Sequence, residues 1–138
     1  MPSMWMVIRE DDKKKGDAAE ARVLKALNEW PMPDFVKGAT KAPYVEDHQG
    51  IDIIVKVKLR FPSEQPVWVD AEMFLQIKCS TASSGGWEER YRTKGIRVIV
   101  AGEQVSDAQL AKNLDYQLRA GYRWLQDTSF VEEQKEPA

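Results

Sequence analysis

The chain is poor in sulfur and imidazole. Among its 138 residues Cys79 is the only cysteine and His48 the only histidine. A single cysteine excludes a disulfide framework and a cysteine-based metal site. No apolar run approaches the roughly 18 residues needed to cross a bilayer. The first ten residues hold one base, Arg9, and no small-residue cleavage site, so no secretory leader is expected. These absences favour a cytoplasmic protein without a membrane partner. No internal repeat and no long linker divides the chain. The length suits one domain over residues 1–138, with 1–15 a flexible lead-in and 127–138 a flexible tail.

Neither sign of charge dominates, with 20 basic against 22 acidic residues. The net charge of −2 does not by itself announce a nucleic-acid binder. It is unevenly placed, however. Residues 126–138 hold Asp127, Glu132, Glu133 and Glu136 against Lys135, so the remainder of the chain is slightly positive. A near-neutral domain holds phosphate when its bases cluster beside the site.

What is present is a globular composition, 43% apolar and 30% charged. Ala18, Ala19, Val23, Leu24, Ala26, Leu27 and Trp30 recur at helical spacing, and Pro31 and Pro33 stop the run. The spacing predicts a helix over 17–30. Residues 34–50 are less regular and leave room for one short strand. Strict alternation then predicts strands over 51–60 and 67–78, joined through a segment with two prolines. Residues 96–101 read as a buried strand. Ser106 with Gln109 forms a capping box that opens a helix to about Leu125, with Leu110, Leu114, Leu118 and Leu125 as its apolar stripe.

Parity constrains the pairing of the two long strands. Both apolar faces are odd-numbered, from Ile51 to Leu59 and from Val67 to Ile77. In an antiparallel hairpin they share one side only if paired residue numbers have an even sum. A sum of 128 sets Asp52 opposite Gln76, and a sum of 130 sets it opposite Lys78. Either register gathers Asp52, Gln76 and Lys78 on one face at one end, within about 5–8 Å between side-chain bases.

Each candidate is weak alone. Glu20 borders the apolar stripe of the first helix, where an unpaired charge is costly; taken alone, an edge residue reaching solvent or an early helical acid favoured by the helix dipole is the better explanation. Asp52 after Gly50-Ile51 suits a turn. Lys78 on a polar strand face suits solvent. Together they meet the needs of phosphodiester hydrolysis, which uses a hard cation to neutralise developing charge and activate water. Mg²⁺ takes oxygen ligands and keeps several waters, so few protein ligands suffice. Asp52 supplies a direct ligand, the Gln76 amide oxygen a second, and Lys78 a group to orient or deprotonate the attacking water.

These residues resemble the PD-(D/E)XK nuclease superfamily. That pattern has an acid on the first helix, an aspartate on one strand and (E/D/Q)-x-Lys on the next. It falls here on Glu20, on Asp52 in Gly50-Ile51-Asp52, and on Gln76-Ile77-Lys78, over about residues 16–101. The glutamine form is similar to the Mrr-like branch. The resemblance implies an α/β fold, a central mixed β-sheet flanked by helices with a restriction-endonuclease-like core beginning α-β-β-β. It implies a nuclease using Mg²⁺ or Mn²⁺, most simply a DNA endonuclease, with Glu20 holding the metal through water. Similar minimal domains act as homodimers or within larger complexes. The proline of the family's name is absent, and Gln76 removes one negative charge from the site. That substitution and the acidic net charge motivate the alternative, a non-catalytic nucleic-acid- or protein-binding module with the same fold.

Flanking residues extend the reading. Arg90, Arg92, Lys94 and Arg97 follow the site and suit phosphate contact. Asp47 and His48 precede the Gly-Ile-Asp triplet and read as incidental loop residues. Trp68 and Phe74 share the even face; packing beneath a helix is expected of them, with base stacking the alternative. Cys79 reads as a small buried residue.

Overall fold

The computed structural model describes residues 4–43, 50–61, 66–79 and 95–135. Ala19, Val23, Ala26 and Leu27 are buried along one stripe of helix α1, Met4–Glu29, as their spacing requires. The helix begins well before Asp17 and runs through Lys13–Lys15, the stretch read as a lead-in. Pro31 and Pro33 follow its end.

Four strands form one mixed sheet in the order β1 (Val36–Lys41), β2 (Ile53–Phe61), β3 (Val67–Lys78) and β4 (Ile96–Val100). The chain therefore opens α-β-β-β. β1 is the short strand that the sequence left unsettled. The β1–β2 and β2–β3 pairs are antiparallel, and β3–β4 is parallel. The outer edge of β1 is blunted from α1: Asn28 Oδ1 accepts from Ala39 N at 3.0 Å, and Asn28 Nδ2 donates to Ala39 O at 3.1 Å.

The β2–β3 register runs from Ile53↔Leu75 to Phe61↔Val67, so paired numbers sum to 128 throughout. Ile53, Val55, Val57, Met73, Leu75 and Ile77 face one side and meet Ala19, Val23, Ala26 and Leu27 of α1. Leu110, Leu114 and Leu118 of helix α2, Asp107–Lys135, join the same cluster. Both described helices thus cover the odd face. On the even face Ile54, Ile96, Ala42 and Ile51 form a second, smaller cluster with Phe74 and Val98.

The start of α2 is tied as the capping box predicts. Ser106 Oγ accepts from Gln109 N at 3.1 Å, and Gln109 Oε1 accepts from Ser106 N at 3.0 Å. α2 continues past Leu125 into the stretch read as a tail. Farther along, Tyr122 Oη accepts from Arg60 N and Gln126 Nε2 donates to Arg60 O, both at 2.7 Å, satisfying β2 beyond the reach of β1. The β4–α2 turn crosses the end of β3 so closely that a Cβ on Gly102 would lie 1.9 Å from Cys79 O. No described helix is long and apolar enough to cross a membrane.

Candidate active site at the end of the β2–β3 ladder

Strand β2 is bonded differently on its two sides at Asp52. Toward β1 the ladder continues smoothly, with Ala42 N donating to Asp52 O at 2.9 Å. Toward β3 it breaks. Leu75 is the register partner of Ile53, yet Asp52 N also donates to Leu75 O at 2.8 Å. Asp52, just before β2, and Ile53 thus both oppose Leu75 of β3, the two-against-one count of a β-bulge, which re-aims a side chain. Packing shows the same shift. Ile53 joins the helix-covered core, whereas Ile51 packs with Ile54 on the other face. The sequence reading placed Ile51 on the face of Ile53; the bulge overturns that assignment.

The bulge frees the Asp52 carboxylate to take a backbone's place. Its Oδ2 accepts from Ile77 N at 2.7 Å. Asp52 therefore brackets Gln76, with its amide on the residue before and its carboxylate on the residue after. At 8% exposure it is the one charged side chain that is buried among the described residues. A buried carboxylate requires such donors, because its desolvation is otherwise uncompensated.

Gln76 sits inside that bracket. Its Oε1 is buried and has no hydrogen-bond partner among the described residues. An unsatisfied buried amide oxygen costs about 1–3 kcal/mol, and persistent exceptions of this kind point to function or to an absent ligand. Lys78 follows two residues along β3 and is half-buried.

Glu20 is half-buried on α1. Its turn of helix lies over the ends of β3 and β4, where Ala18, Ala19, Arg22, Cys79 and Ala101 line one cleft of about 540 Å³. Arg22 anchors that turn, donating to Gly102 O at 3.0 Å and to Asp107 Oδ1 at 2.7 Å. The structure thus brings Asp52 and Gln76 together, sets Lys78 next along the strand, and carries the helix turn of Glu20 to the same end of the sheet. Among the described residues no three histidine, cysteine, aspartate or glutamate side chains gather as a ligand group. The candidate donors are one carboxylate and one amide.

The remaining candidates distribute as follows. Arg97 faces the helices, and its Nε donates to Gln117 Oε1 at 2.7 Å. Cys79 is half-buried against the core. Asp47, His48, Arg90, Arg92 and Lys94 lie outside the described residues. Trp68 is not beneath either described helix; it is 51% exposed on the even face. Sequence reasoning missed the Ile77 amide, which no side-chain pattern reports. It also missed the pairing of Trp68 with bases of β2, which the parity of the hairpin does encode. Compared with known proteins, the chain matches no family model, no curated protein and no solved structure.

Proposed function

We propose that this chain is a metal-dependent nuclease that hydrolyses phosphodiester bonds, with DNA as its first substrate class and Mg²⁺ or Mn²⁺ as its cofactor. One observation carries the reading: Gln76 holds a buried, unpartnered Oε1 and stands on β3 between the two residues, Leu75 and Ile77, whose backbones bond the buried Asp52. A hard cation is a partner that suits an orphaned amide oxygen on a residue flanked by the bonds of a carboxylate residue, and Mg²⁺ completes its shell with water. The residues present fit such an ion. Asp52 and Gln76 would hold it directly, and Glu20 through water. The opening α-β-β-β order and the parallel β3–β4 pair support a restriction-endonuclease-like core.

When bound, the cation supplies neutralisation of the phosphate and a lower pKa for the attacking water. The chain's own residues do the rest. The Ile77 amide fixes the Asp52 carboxylate in one orientation, so the site is preorganised and no ligand need be ordered during reaction. Lys78 orients the attacking water. Burial around Asp52 excludes bulk water and strengthens each of these interactions.

The amide at 76 and the lack of a third acid among the described residues favour a second reading, a non-catalytic binding module with the same fold. Cleavage of supercoiled plasmid, linear duplex, single-stranded and branched DNA and structured RNA, with Mg²⁺, Mn²⁺ or EDTA, separates the two. We expect metal-dependent cutting that Asp52→Asn and Lys78→Ala both abolish. No cutting of any substrate by folded protein would move the reading to the binding module.

A further inference from the structure

The even face of the hairpin continues away from Asp52 and Gln76 into a strip that the nuclease reading has not used. Lys56, Lys58 and Arg60 project from β2 and are exposed. Their register partners on β3 are Glu72, Asp70 and Trp68. Trp68 is 51% exposed, with Lys58 Nζ 5.7 Å and Arg60 Cζ 5.8 Å from its ring centroids. A half-exposed tryptophan is expensive to leave in water, since apolar burial is worth about 25 cal/mol per Å². Both helices pack on the opposite face, so no described element covers it.

The charges around the ring are unbalanced toward the positive. Asp70 faces Lys58 in register, but it is taken by Lys37, whose Nζ donates to Asp70 Oδ1 at 3.0 Å. Neither Lys58 nor Arg60 has an ion pair among the described residues. Four bases (Lys37, Lys56, Lys58, Arg60) therefore stand against two acids (Asp70, Glu72) on a strip that ends in an open aromatic ring.

We propose that this strip is a track for an unpaired nucleic-acid strand, one base stacking on Trp68 and the adjoining phosphates meeting Lys58 and Arg60. The inference rests on the nuclease reading for its direction and names the substrate form that the same face would present to Asp52 and Gln76. The chemistry selects single strands. An aromatic ring can stack only on a base whose face is open, and duplex bases have both faces occupied. Phosphate contacts alone would accept either form. The distance suits it too. Eight residues separate Asp52 from Arg60, about 26 Å along the strand, which accommodates on the order of four nucleotides, the low end of single-strand sites on small domains.

The test is binding in EDTA, where cleavage cannot intervene, of labelled dT16, rU16 and a 16-base-pair duplex DNA to the full chain. Wild type, Trp68→Ala, Trp68→Phe and Arg60→Glu are compared, with melting temperatures to confirm folding. The expected result is tighter binding of dT16 or rU16 than of duplex. Trp68→Ala should weaken it at least about fivefold, the stacking contribution of one base, and Trp68→Phe should retain most of it. Arg60→Glu should weaken it and flatten its salt dependence. Equal binding by wild type, Trp68→Ala and Arg60→Glu would overturn the track and leave the nuclease reading standing. So would a Trp68→Ala that only converts a dimer to a monomer. Single-strand binding lost in Trp68→Ala, with no cutting of any substrate, would retain the track and reject the nuclease.

Discussion

Asp52 Oδ2 accepts a hydrogen bond from the Ile77 amide at 2.7 Å, so a side chain just before β2 fills the ladder position that a backbone carbonyl would hold. This bond makes Asp52 structural as well as a candidate ligand. The two roles separate by substitution. Asp52→Asn keeps an oxygen that can accept from Ile77 and should fold with near-wild-type stability. Asp52→Ala leaves the buried amide unpaired and should lose about 1–3 kcal/mol in denaturant unfolding. Both should abolish metal-dependent cleavage. Cleavage surviving in Asp52→Asn would remove the carboxylate from the reaction.

Gln76 gives the converse expectation. Its unpartnered Oε1 is a burden on the metal-free fold. Gln76→Met is close in size and removes the oxygen, so it should be as stable as wild type or about 1 kcal/mol more stable without metal. It should also lose the rise in melting temperature that Mg²⁺ or Mn²⁺ produces by binding the native state. Gln76→Glu sets a second carboxylate beside Asp52. Like charges should lower its stability in EDTA and enlarge its stabilisation by metal. Thermal melts with and without each ion check all three proteins. A metal response in Gln76→Met equal to wild type would place the cation elsewhere.

The hairpin was the most legible part of the chain because period-two alternation fixes parity, and parity left two registers of which the structure takes the sum of 128. The bulge at Asp52 was illegible. Its cause is a backbone choice at one residue, and Ile51, Asp52 and Ile53 look like uninterrupted alternation. The early start of α1 was hidden for a different reason: residues 11–16 contain no apolar side chain, so periodicity is silent where the helix continues. The position of Trp68 was misread because its face was assumed to meet a helix, and both described helices lie on the other side. The candidate site could be read from the sequence as a grouping on one strand face and not as a geometry. Alternation gathers Asp52, Gln76 and Lys78, whereas the contact that orients Asp52 runs to a backbone amide.

Close approach of the β4–α2 turn to β3 sets the frame behind the site. A Cβ on Gly102 would meet Cys79 O at 1.9 Å and its carbonyl carbon at 2.9 Å, both backbone atoms that a rotamer change cannot move. Gly102→Ala should therefore displace the end of β3 next to Lys78 and destabilise the fold by about 1–3 kcal/mol, the usual range for overpacking. Denaturant unfolding measures the loss. An unchanged midpoint would show that the turn yields without strain.

Lys37 holds the Asp70 carboxyl below the ordinary carboxylate range, by hydrogen bond first and by charge second, with Lys58 adding a smaller charge effect. A native pKa below the unfolded one means that the unfolded chain takes up the proton first. The pair's stabilisation is then present above the unfolded value of about 4 and is lost as pH falls through the native value. Both side chains are largely exposed, which keeps the effect small and sensitive to salt. Wild type should melt slightly above Asp70→Asn, by a margin constant from about pH 5 to pH 8 and closing below about pH 4. Half-molar salt should shrink the margin at every pH, because screening weakens an exposed pair. A margin that persists unchanged at pH 2 would show that Asp70 acts through packing, and Lys37 would then be no restraint on its charge.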